Sequence, residues 1–268
     1  MSATTDTEHL ATGVGRAVGG ALLFALPLFM TMEVWRLGHT VERYRLALLV
    51  LATVVLVIGL AHYFGAGPGG VSRAGYLADA GVALVVALLT ASVVLVVLAV
   101  IDPVQDRQSA LSVVVIEILP AAIGASYARS QLGAGSRRPQ APRYGHEVFL
   151  MAAGAVVFAA NIAPTEEVVL LAAKLGERNA AVLVVLSLVL MHGFVYWVGF
   201  GGQEEATGFL RSFRNLTVVG YVAAFAVSAF LLWTFGRFDG VGLPVVVGQT
   251  VVLALPASVG AAAARLIL

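Results

Sequence analysis

The chain has 268 residues, 60% of them hydrophobic and 12% charged, with a mean hydropathy of +0.95. A soluble domain carries about 25% charged residues, so lipid is the expected solvent. The net charge of +1 leaves no basic excess to hold nucleic acid, and the lack of cysteine removes disulfides, thiolate metal ligands and cysteine nucleophiles.

The first ten residues are polar and include Asp6, Glu8 and His9, unlike the basic start of a cleaved leader, so the first apolar run is expected to stay in the mature chain. Runs bounded by charge or turn residues give spans at about 17–35, 46–64, 77–101, 109–128, 147–174, 180–201, 216–236 and 242–266. Each is near the ~20 residues that cross a hydrocarbon core of roughly 30 Å. The runs are too long and too unalternating for strands, and lipid admits only helices or closed barrels. The expected fold is all-α, a polytopic transmembrane helix bundle of about eight spans.

The longest polar connection, Gln131 to Gly145, holds Arg137, Arg138, Pro139, Pro142 and Arg143 and divides the chain near its middle. Residues 1–130 and 146–268 are expected to form two four-helix repeats joined by a linker at 131–145. Ala21-Leu22-Leu23-Phe24-Ala25 before Thr31-Met32-Glu33-Val34 matches Ala155-Val156-Val157-Phe158-Ala159 before Thr165-Glu166-Glu167-Val168, at a shift of 134. Leu119-Pro120-Ala121 with Gly124, Ala125, Ala128 and Arg129 matches Leu255-Pro256-Ala257 with Gly260, Ala261, Ala264 and Arg265, at a shift of 136, and Asp102 and Asp239 are expected to close the third helix of each half. In a chain this rich in Ala, Val and Leu only the Thr, Glu, Pro, Asp and Arg coincidences carry weight, and they point to an internal duplication with parallel repeats. Four helices per repeat put both termini and the linker on one side. That side collects nine of the sixteen basic residues, which the positive-inside rule makes cytoplasmic.

Glu166 and Glu167 draw attention first, because Phe149 to Ala163 precede them and Val168 to Ala173 follow. A charged carboxylate at bilayer depth is disfavoured by about 2.5 to 3.5 kcal/mol, so it faces a water-filled cavity or a partner. Asn161 can cap a helix, Pro164 suits a first turn, and Thr165 with the two acids fits a helix start. The fifth span therefore reads either as two half-helices around an ion site or as a span followed by an interfacial helix that ends near Lys174. Glu33 and Thr31 repeat Glu167 and Thr165, with Pro27 standing where Asn161 does, so the first span is expected to have a milder version of the same break, and Arg36 is in reach of a local salt bridge.

Glu117 lies well inside the fourth span, followed by Pro120, with no charge between Ser109 and Arg129. It is a candidate for a polar path or a buried pair; its counterpart in the second half is Leu253, with Gln249 one turn away. His192 is a candidate proton relay or, near Tyr196, a helix-to-helix hydrogen bond. Trp35, Trp197 and Trp233 near the span ends read as interfacial anchors. No HExxH pair, GxSxG elbow or phosphate-binding glycine loop is present, so no enzyme is expected and no cofactor is implied.

The segment Asn161-Ile162-Ala163-Pro164-Thr165-Glu166-Glu167, with the chain length and span pattern, resembles a bacterial family of integral membrane proteins of about this size, catalogued as a domain of unknown function. The resemblance implies a multi-pass protein of the bacterial inner membrane and supplies no activity or site. The residues themselves favour a small transporter or channel for a proton or an inorganic cation. Glu166, Glu167, Glu33 and Glu117 would exchange protons or coordinate the cation, with Asn161, Thr165 and Thr31 adding neutral oxygens and His192 and Gln249 a relay. No particular metal is named by these residues. The alternative is a non-transporting scaffold, or an assembly or lipid-handling module, with its acids paired to Arg36, Arg129 or Lys174. Partners expected on either reading are the lipid bilayer and, for transport, a proton or inorganic cation; a homo-oligomer is compatible with both.

Overall fold

A computed structural model describes residues 2–65, 72–131, 144–197 and 213–267. The expected linker lies almost wholly outside the described residues, as does the end of the sixth expected span. Every regular element among the described residues is a helix, ten α-helices and one π-helical turn. Eight of the helices are long and apolar enough to cross a membrane. Such runs leave the backbone no partner but itself, and a helix satisfies every interior N–H and C=O within the segment. The chain divides into two compact units, Met1–Gln140 and Ala141–Leu268.

The first unit contains α1 (Ser2–Phe29), α2 (Met32–Thr40), α3 (Arg43–Gly65), α4 (Arg73–Val97) and α5 (Arg107–Gln131). Helix α5 is its centre: 72% of its apolar stretch is buried, against 33 to 39% for α1, α3 and α4, and it packs on all four other helices. The closest approach is to α1, where Gly20 and Gly124 lie backbone against backbone; a Cβ on either would strike the other's carbonyl. Small residues let spanning helices come this near. Helix α4 ends in a Schellman motif, with Ala99 left-handed (φ 56) and the Val100 N–H donating to the Leu95 carbonyl at 2.9 Å.

The second unit contains α6 (Tyr144–Ile162), α7 (Glu167–Lys174), α8 (Glu177–Trp197), a π-helical turn (Phe213–Val218) that runs into α9 (Val219–Thr234), and α10 (Leu243–Ile267). Helix α10 takes the central place and packs on α6, α7, α8 and α9. Gly154 of α6 lies against the Gly260 carbonyl of α10. Helix α9 ends as α4 does, with Gly236 left-handed (φ 72) and the Arg237 N–H donating to the Leu232 carbonyl at 2.9 Å.

Two of the expected spans are each divided in the structure, as the half-helix reading of the sequence anticipated. The run at 147–174 is divided: α6 stops at Ile162, residues 163–166 turn, and α7 starts separately. Pro164 has no N–H to continue the α6 ladder, which accounts for the break. The run at 17–35 is divided in the same way, with Thr31 extended (φ −99, ψ 110) between α1 and α2. Neither Asp102 nor Asp239 closes the third helix of its half, since α9 ends at Thr234, five residues before Asp239. Helix α4 ends five residues before Asp102, at Val97, and the Asp102 carboxylate accepts from Val104 N (2.9 Å) and Gln105 N (3.1 Å) in the turn that leads into α5.

Candidate functional site

In the first unit α1 and α5 run antiparallel, because Gly20 also meets Ala128 while Gly124 also meets Phe24. Counting seven residues onward from Gly20 and seven back from Gly124 brings Pro27 level with Glu117. Helix α1 therefore ends beside the middle of α5, and α2 continues along the rest of it. Gly38 of α2 packs against Val113 and the Ser109 carbonyl, and His39 Nδ1 lies 2.7 Å from Ser109 Oγ. Asp106 caps α5 at this end, and hydrogen bonds from the Ser109 side chain and then its backbone hold the Asp106 carboxyl below its ordinary range. Together α1 and α2 make one run along α5, broken at Met30 and Thr31 near the level of Glu117.

A break at this depth frees carbonyls that lipid cannot satisfy. Two side chains answer it: the Thr31 hydroxyl donates to the Pro27 carbonyl at 2.6 Å and the Trp35 indole N–H to the Phe29 carbonyl at 3.0 Å. Trp35, read from the sequence as an interfacial anchor, spends its indole N–H on the break.

Glu117 is fully buried, 0% exposed. It stands ten residues from Arg107 and twelve from Arg129, roughly 15 and 18 Å along the helix. Among the described residues neither carboxylate oxygen has a hydrogen-bond partner. Val113, Val114, Pro120 and Ala121 are its neighbours one turn away on α5. Arg129, suggested as a partner for the acids, bonds Asp79 of α4 at 2.6 Å.

The second unit repeats the geometry with different chemistry. Gly154 also meets Ala264 and Gly260 also meets Phe158, so α6 and α10 are antiparallel, and the same count of seven brings Asn161 level with Leu253. Helix α7 then continues along α10, with Ala172 against Gly248. The freed carbonyls again have donors: the Thr165 hydroxyl bonds the Ile162 carbonyl at 2.8 Å, and the Arg237 guanidinium reaches the Pro164 carbonyl. Glu166 and Glu167 are exposed, and the Thr165 side chain and the Arg237 charge both act on the Glu167 carboxylate. The buried polar atoms near this level include the Arg237 Nε and those of two neutral amides. Asn161 Nδ2 donates to the Val157 carbonyl at 2.8 Å while its Oδ1 meets no donor. Gln249, 1% exposed and one turn before Leu253, has an equally unpartnered Oε1.

The candidate residues thus fall into two groups. Thr31, Glu33 and Glu117 belong to the break of the first unit, where Glu33 is half-buried on the opening turn of α2. Asn161, Thr165, Glu166, Glu167 and Gln249 belong to that of the second. His192 stands apart from both: its Nδ1 lies 2.9 Å from Thr217 Oγ1 and its ring meets Phe213 edge-on at 5.2 Å. Trp35 and Arg237 are the parts of the two sites that residue-by-residue reading of the chain does not find. The separation of six positions from Phe29 to Trp35 offers a weak local signal for the first. Arg237 lies 73 residues from Pro164 and offers none.

Among known families, the model described as "Putative integral membrane protein (DUF2391)" matches residues 13–268. No curated protein and no solved structure matches the chain.

Proposed function

From the premise that the chain belongs to the DUF2391 family of integral membrane proteins, we propose that it moves a proton or an inorganic cation, using Glu117 as the residue that takes it up within the membrane. The observation that carries this reading is the buried Glu117 carboxylate, unpartnered midway along the most enclosed span of its unit. A carboxylate so placed costs several kcal/mol when it is charged and unanswered, at about 2.5 to 3.5 kcal/mol on insertion scales. Leu would fill the position more cheaply, as Leu253 does in the second unit. Its level beside a broken helix adds to the case, since broken helices in transporters place ion sites near the midplane.

The same order of one long, one short and three long elements in each unit supports an internal duplication. Glycine pairs related by shifts of 134 and 136, and matching Schellman ends, add to it. The duplication, a location in the bacterial inner membrane with cytoplasmic termini, and the absence of enzyme chemistry all remain part of this proposal.

Proteoliposomes carrying a pH-sensitive dye inside provide the test. An imposed proton or cation gradient should drive flux through the native protein and not through Glu117→Gln. Equal flux in the two proteins overturns the assignment. A second reading, a scaffold whose acids are structurally paired, is favoured by one observation: the Arg237 guanidinium bonds the Pro164 carbonyl and brings its positive charge into the neighbourhood of Glu167. We assign that role to the acids of the second unit alone.

A further inference from the structure

We propose that the species Glu117 takes up is a proton and not a metal cation, an inference that rests on the reading of Glu117 given above and narrows it. A hard cation such as Na⁺, Mg²⁺ or Ca²⁺ is held by about six oxygen ligands, drawn from carboxylates, carbonyls and water. A proton needs one oxygen. The surroundings of Glu117 supply the second requirement and not the first.

Two of the carbonyls that the break would offer to a cation are already engaged, Pro27 O by Thr31 and Phe29 O by Trp35. The helices packed on α5 bring few others. Helix α1 has no charged or histidine side chain between Arg16 and Glu33, α3 none between Arg45 and His62, and α4 none between Asp79 and Asp102. Two hydroxyls stand midway on these helices: Thr53 of α3, turned onto its own helix at Leu49 O, 2.7 Å away, and Thr90 of α4, which is buried. Helix α2 carries the remaining ionisable groups: Glu33 on its first turn, then Arg36, then His39 at the end beside Ser109 and Asp106. None of them bonds Glu117. Among the described residues no three His, Asp or Glu side chains gather as a metal site.

The step is a plain protonation. The carboxylate receives H⁺ on one oxygen, becomes a neutral acid, and returns the same proton when it ionises again. No electron moves and no other bond changes.

Proton and metal make different predictions for one titration. The carbonyl-stretch band of the protonated Glu117 acid is followed by infrared difference spectroscopy on the full-length protein in lipid, against Glu117→Gln and with the ²H₂O shift as an internal check on the native protein. Lowering the pH should bring up a band that Glu117→Gln lacks, and its midpoint should stay in place when Na⁺, K⁺, Mg²⁺ or Ca²⁺ is added in large excess. A metal bound at the carboxylate competes with the proton, so a midpoint that falls as any of these cations rises overturns the proposal, as does the lack of any Glu117 band across the titration. The measurement reads occupancy and not flux. A metal-sensitive midpoint would leave transport standing, whereas a metal-insensitive band in a protein without flux would leave the proton site standing and remove the transport reading.

Discussion

The two units of this protein solve one backbone problem twice and place charge differently each time. In both, the first long helix stops beside the middle of the last, a short helix completes the run, and a side-chain hydroxyl and an N–H donor take the freed carbonyls. Thr31 and Trp35 do this in the first unit, Thr165 and Arg237 in the second. The difference lies in the acids. The first unit buries Glu117 on its central helix with no hydrogen-bond donor among the described residues, while the second keeps Glu166 and Glu167 exposed, with the Arg237 charge in their neighbourhood, and puts Leu253, Asn161 and Gln249 near the matching level. A break in a spanning helix therefore needs donors whatever the protein does, and an acid at the break is not in itself a sign of function. The acid without a partner is the informative one.

The glycine contacts offer the most severe way to break the comparison. Gly124→Val and Gly260→Val each force a side chain into the opposing backbone, and overpacking of this kind costs about 3 kcal/mol or more where backbone cannot yield. Each should lower the unfolding midpoint in detergent sharply and to a similar extent. A loss confined to one unit would mean that the two crossings are not equivalent.

Exchanging the chemistry of the matched positions sharpens it. Leu253→Glu introduces the unanswered acid into the second unit and should destabilise by about 2.5 to 3.5 kcal/mol. Glu117→Leu removes it from the first and should stabilise by about 1 to 3 kcal/mol. The same denaturation series measures both. A Glu117→Leu protein that is less stable than the native one would indicate a partner for the carboxylate.

The smallest effect is expected at the donors. Arg237→Gln removes a charged hydrogen bond, worth about 1.5 to 3 kcal/mol, and Trp35→Phe a neutral one, worth about 0.5 to 1.5 kcal/mol. Both should lower stability and leave any flux intact. Flux lost in Arg237→Gln with stability preserved would move the functional site to the second unit.

Much of the fold is legible in the chain, because apolar runs of spanning length bounded by Arg, Asp and Gly admit few other arrangements in lipid. The break before Glu167 is legible for the same kind of reason, since Pro164 cannot continue a helical ladder. The break at Thr31 is harder to see. Pro27 stands inside α1 and the helix runs two residues beyond it, so only the match to the other half points there. What the chain conceals is which residues share a level. Helices of Ala, Val, Leu and Gly are apolar all round, so periodicity does not say which face meets which neighbour. The pairings of Gly20 with Gly124 and of Pro27 with Glu117 emerge only from packing. Asp102 misleads for a different reason: an Asp after an apolar run suits a helix end, yet its carboxylate closes the following turn.

The most direct test compares Glu117→Gln with the double variant Glu166→Gln/Glu167→Gln in the same liposome preparation, reading proton flux under an imposed gradient. The account predicts that flux disappears in the first and persists in the second. Flux that survives Glu117→Gln and vanishes in the double variant would contradict it, placing the working acids at the exposed break and leaving the buried one without a role in transport.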